Sequence, residues 1–76
     1  MEIETFIKNF AAQFDEIDAA IFTSKTEFRS IEGWSSLIAL SIIAMVDEEY
    51  EVMLKGDDIR NARTIDDLYK IIESRL

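Results

Sequence analysis

The sequence predicts an all-α fold, a four-helix bundle of three main helices and one short one, with a long loop between the first two. Three observations carry this. The first segment places Ile3, Phe6, Ile7, Phe10, Phe14 and Ile17 at steps of three and four, the period of one helix face. In the middle, a long apolar run opens on Ser35 and Ser36, residue types suited to a helix start. The last segment opens on Thr64 with an acid, Asp67, three residues on, a pattern that starts helices.

Taken in order, the first helix is expected over about 2–16, with Glu4, Lys8, Asn9, Gln13 and Glu16 on its polar side. Residues 18–34 show no sustained period. Ile21, Phe22, Phe28, Ile31 and Trp34 are scattered among Thr, Ser, Lys and Arg, and Gly33 can supply a turn before the next helix. A loop this long is uncommon in a small domain and is often functional. Its aromatics should fold it back onto the core.

The second helix is expected over about 36–50, with Ser35 as N-cap. Ala39, Ile42, Ile43, Val46 and Tyr50 form its expected core stripe, while Leu37, Ile38 and Met45 fall on another face. A surface helix should be polar there. Since 76 residues offer little material to cover a helix all round, this second apolar face reads as a partner surface. Val52-Met53-Leu54 reads as an extended connector. Lys55-Gly56-Asp57 reads as a turn, and Asp57 or Asp58 as the cap of a short helix over about 58–62. The last helix, about 65–75, carries Ile65, Leu68, Tyr69, Ile72 and Leu76 on one face. Residues 1–76 thus read as a single domain with no internal repeat.

Size and composition narrow the function classes. A chain of 76 residues without cysteine builds its core from helix packing alone, without disulfides or a cysteine–histidine zinc site. With 49% hydrophobic residues it has too much apolar surface for a disordered chain. Sixteen acids against eight bases give a net charge of −8. That balance argues against nucleic acid, which needs clustered Lys and Arg, and against an anionic membrane surface. It favours partners with basic patches. The most apolar run, Leu37 to Val46, is ten residues, whereas a bilayer span needs about 20. The first residues lack the positive region of a signal peptide, so a cytoplasmic location is expected.

No catalytic or metal constellation emerges. The chain has no histidine, and neither a Lys nor a carboxylate can be placed beside Ser36 to activate it. Asp47, Glu48 and Glu49 point in different directions on a helix and read as a solvated face rather than a hard-cation site. With two glycines there is no phosphate-cradling glycine loop. A serine presented at the mouth of an apolar helix, without a base, suits attachment by another enzyme; an ordinary first-turn serine is the plain alternative.

Trp34-Ser35-Ser36-Leu37 before an apolar helix, then Asp47-Glu48-Glu49-Tyr50, then Thr64-Ile65-Asp66-Asp67-Leu68, resembles an acyl carrier protein over nearly the whole chain. The resemblance implies that Ser36 receives a 4′-phosphopantetheine arm from coenzyme A through a magnesium-dependent phosphopantetheinyl transferase. The arm's thiol would carry acyl groups as thioesters to the enzymes of a fatty acid, polyketide or specialised pathway. It further implies a non-enzymatic, monomeric carrier whose partner face is Leu37, Ile38, Ser41, Met45 and Glu48, read by acyl-loading and acyl-processing enzymes. The core between helices would shelter a short acyl chain.

The chain departs from the family pattern in three places. Ser35 stands where the family usually has Asp, which also makes Ser35 a second candidate attachment site. Ile38 and Ser41 occupy positions often acidic in carriers of primary fatty acid synthesis. The Gly33-Trp34 pair resembles free-standing carriers of specialised pathways. An aminoacyl or peptidyl carrier, and an unmodified acidic carrier-like binding module, are the alternatives.

Overall fold

Steps of three and four along residues 3–11 do fold as a helix, α1 (Ile3–Ala11), in the computed structural model, which describes residues 2–14 and 19–76. The described residues are all-helical, without strands, and carry three further helices: α2 (Ser36–Tyr50), α3 (Gly56–Asn61) and α4 (Ile65–Glu73). Single 3₁₀ turns at Ala19–Ile21 and Phe28–Ser30 punctuate the long loop. α1 packs against α2 and α4, and α3 against α4. The radius of gyration is 11.1 Å, the value of about 11 Å expected for a compact chain of this length.

α1 ends earlier than its hydrophobic period suggests. Gln13 N–H donates to the Phe10 carbonyl and Phe14 N–H to that of Ala11, both at 3.1 Å. These i→i+3 bonds tighten the last turn and stop the helix. Phe14 stays buried beyond it. The remaining part of the expected helix, 15–16, and Ile17 lie outside the described residues.

Phe6 and Phe10 lie wholly inside, and α1 builds the core around them. The Phe10 ring centroid is 6.0 Å from Phe6, 5.8 Å from Phe14, 6.2 Å from Phe22 and 5.5 Å from Phe28. Two of these partners come from the loop, so its aromatics do fold inward: Phe22 and Phe28 are buried, and Ile31 and Trp34 are half-buried. Ile21 is the exception, about half exposed. Aromatic pairs at these spacings add about 0.5–1.5 kcal/mol each beyond area burial. The loop is also pinned to α4. Ile65 N–H donates to the Thr26 carbonyl at 3.1 Å, and Asp66 N–H to that of Ser24 at 2.8 Å.

Capping follows the local chemistry. Gly33 takes φ +94°, a conformation L side chains rarely adopt, and turns the chain into α2. At α4, Thr64 Oγ1 accepts from Asp67 N–H, and Asp67 Oδ2 accepts from the N–H groups of Thr64 and Arg63. Those backbone donors hold the Asp67 carboxyl below its ordinary range. At α3 the cap position is Lys55, two residues earlier than expected. Asp58 contributes from inside the first turn, its Oδ2 accepting from Lys55 N–H at 2.9 Å. The connector before it alternates as an extended segment should: Val52 and Leu54 inward, Met53 outward. α4 buries Ile65, Leu68, Tyr69 and Ile72, but Leu76 lies past its end and is exposed.

Asp58 also takes both arms of the Arg75 guanidinium, at 2.7 and 2.8 Å. That bidentate pair and the Lys55 amide hold its pKa at about 2 against an ordinary 3.8. A depressed carboxylate adds stability above its unfolded pKa and loses it as pH falls through the folded one. Asp58→Asn is therefore expected to cost about 1–2 kcal/mol near neutral pH, after discounting for the part-exposed arginine. The deficit should shrink between pH 5 and about pH 2. Urea melts of both proteins across that range check this; a deficit independent of pH would assign the loss to something other than the carboxylate.

Candidate functional site

Glycine, tryptophan and paired serines converge on the start of α2. Gly33 makes the turn, and Trp34 anchors it, its ring 5.3 Å from Phe28 and 6.2 Å from Phe14. Ser35 is extended and caps the helix, its Oγ accepting from Ile38 N–H at 3.3 Å. The cap is made by Ser35, which leaves the Ser36 hydroxyl out of it. Ser36 is exposed at the first position of a 15-residue helix with no acid in its first turn. The partial positive charge of that helix end is therefore unopposed by its own side chains.

Beside Ser36 lies an open groove of about 330 Å³ between α2 and α3. Trp34, Ala39, Leu40, Ile43 and Ile59 give it apolar walls, and Arg29 and Arg60 supply its charge. Among the described residues, no Asp or Glu lines it. Arg29 donates to the Ala62 carbonyl at 3.1 Å, and Arg60 pairs with Asp57.

The five expected partner-face residues do not share one surface. Leu37 is exposed, at 72%. Ser41, Met45 and Glu48 line a separate depression with Gln13, Ala44 and Glu49. Ile38 is half-buried against the core. Met45 corrects the sequence reading: it is 7% exposed and belongs to the core cluster. The buried stripe of α2 runs through Ile42, Met45 and Val46, with Ala39, Ile43 and Tyr50 only half-buried. The expected shortage of covering material does not arise, because the loop folds Phe22, Phe28 and Trp34 inward as additional apolar mass. Tyr50 instead accepts a hydrogen bond from Asn9 at 3.0 Å, tying the end of α2 to α1. The large outward apolar side chains of α2 are Leu37 and Leu40.

Comparison with known proteins finds no match. No family model, curated protein or solved structure is similar to this chain.

Leu40, Ile59, Arg29 and Arg60 are residues of the groove that escape the sequence. Leu40 is four residues beyond Ser36 and shares its side of the helix, a signal helical spacing already contains. Arg29 and Arg60 come from distant segments, and no local pattern joins them to Ser36. Asp47, Glu48 and Glu49 are exposed at the other end of α2.

The corrected burial separates two substitutions. Met45→Asp places a carboxylate in the core and is expected to cost more than about 4 kcal/mol. Leu37→Asp changes an exposed side chain near a helix N-terminus, and its expected effect is within about 0.5 kcal/mol. Thermal melts of the two variants check the assignment; equal losses would mean that the two side chains share an environment.

Proposed function

We propose that the chain is an acyl carrier, with Ser36 as the attachment point of a 4′-phosphopantetheine arm. The observation that carries the reading is the exposed Ser36 hydroxyl at the first position of α2, capped by its neighbour and lacking any first-turn acid. The residues present fit such a group. A phosphodiester on Ser36 Oγ would meet the positive end of α2, where first-turn amides favour an anion. When bound, the arm supplies a terminal thiol that holds an acyl group as a thioester.

The chain's own residues do the rest. Ser36 offers its oxygen to coenzyme A within a phosphopantetheinyl transferase: one phosphoester bond forms and the bond to 3′,5′-ADP breaks. Leu37 and Leu40 offer apolar contact to partner enzymes, and Asp47, Glu48 and Glu49 attract their basic patches. Tethering replaces diffusion of the intermediate by a high effective concentration at each enzyme. The apolar groove gives a short acyl chain a place to lie. A four-helix bundle around one core, in a cytoplasmic monomer, belongs to the same reading. Ser35, standing where carriers usually have Asp, favours a second one, an unmodified acidic binding module.

Intact-mass spectrometry after incubation with coenzyme A, magnesium and a broad-specificity transferase tests the choice. One added arm, mapped by fragmentation to Ser36, is the expected result. Folded protein that gains no mass with several transferases would overturn the carrier reading and leave the module.

A further inference from the structure

The groove beside Ser36 differs in charge from the chain as a whole. The protein has sixteen acids and eight bases, yet among the described residues this groove is lined by two arginines and no acid. The two arginines are not equivalent. Arg60 pairs with Asp57, as Arg63 does with Glu27 and Arg75 with Asp58. Arg29 holds only the Ala62 carbonyl and has no carboxylate partner among the described residues. A guanidinium presents five N–H donors in a rigid fork matched to planar oxyanions, and one carbonyl occupies few of them.

We propose that the groove binds an oxyanion carried on a short apolar segment, with Arg29 as the residue that selects it. Charge complementarity names the anion, and the walls formed by Trp34, Ile43 and Ile59 name the apolar part. A volume of about 330 Å³ is near the floor of the range of about 300–1,000 Å³ for small-molecule sites, so the segment is short. Ser36 on the rim connects the groove to the carrier reading, on which the ligand's attachment rests. Two sources of the anion are then in reach: the phosphate of the arm, or a carboxylate borne by the cargo.

Trp34 is the one tryptophan of the chain and lines the groove, so its emission reports occupancy. The test titrates unmodified protein with octanoate, octanol and 4′-phosphopantetheine. A saturable change with at least one of the two anions is expected, weakened about tenfold or more by Arg29→Gln, since a charge-assisted bond is lost. Octanol should be indifferent to residue 29. A response to octanoate alone assigns the site to cargo, and a response to 4′-phosphopantetheine alone assigns it to the arm. Circular dichroism checks each variant. Should Arg29→Gln not fold, Arg29→Lys, which keeps charge but loses the fork, should weaken anion binding several-fold.

Binding of neither anion, or anion affinity unaffected by residue 29, overturns the proposal. Because the protein is unmodified, this result is independent of arm attachment. A groove that binds anions in a chain that never accepts an arm would sink the carrier reading alone.

Discussion

Ser36→Ala is expected to abolish arm attachment completely while leaving the fold in place. The chemical half is absolute, because the variant lacks the oxygen that forms the phosphoester. The structural half follows from position. Ser36 is exposed, and the cap of α2 belongs to Ser35. Alanine is also the better helix former, so the helix itself should gain roughly a few tenths of a kcal/mol. Ser35→Ala gives the opposite pattern. It removes the cap, costs about 1 kcal/mol, and keeps the attachment site. Mass spectra and melting curves of the two variants read chemistry and stability separately. A Ser36→Ala protein that still gains an arm would move the site, with Ser35 first in line; an arm lost in both variants would point to recognition of the serine pair as a unit.

Phe10→Ala should come close to unfolding the protein. Phe10 is fully buried and touches aromatic rings from α1, the segment just past it, and both halves of the loop. Truncating a buried Phe costs about 3–5 kcal/mol. A 76-residue chain has about 4–11 kcal/mol in total at the usual stability per residue. The loss is therefore half or more of the whole at the lower end. Ile21→Ala, at an exposed loop position, should cost less than about 1 kcal/mol. Urea denaturation followed by far-ultraviolet circular dichroism compares them. A Phe10→Ala midpoint near that of Ile21→Ala would mean that the aromatic cluster contributes little and the helices hold without it.

Where local chemistry decides an element, the sequence shows it. Thr64 and Asp67 mark the start of α4 because both halves of that cap lie within four residues. Gly33 and Ser35 mark the start of α2 for the same reason. The end of α1 is not legible: Ala11, Ala12 and Gln13 are good helix formers, and the tightened turn there leaves no sequence signature. At α3, Asp58 has the composition of a cap but acts from the third helical position, so the start is misread by two residues. The place of Ser36 at the head of α2 is legible because the cap and the apolar run are contiguous. Met45 is not, because its burial depends on core residues gathered from distant parts of the chain. The arginine-lined groove is illegible for the same reason.

The two loop carbonyls that receive the Ile65 and Asp66 amides change what the long loop is. First-turn amides of a helix have no partner within it and normally face water. In α4 two of them are closed by residues some 40 positions earlier, so the loop is a distant cap of the last helix. Loop and α4 then form a single opening unit. In amide exchange the Ile65 and Asp66 protons should be as slow as those of the helix interior, and loosening the loop should speed them together. The segment leading to Ser36 thereby draws its order from the far end of the chain.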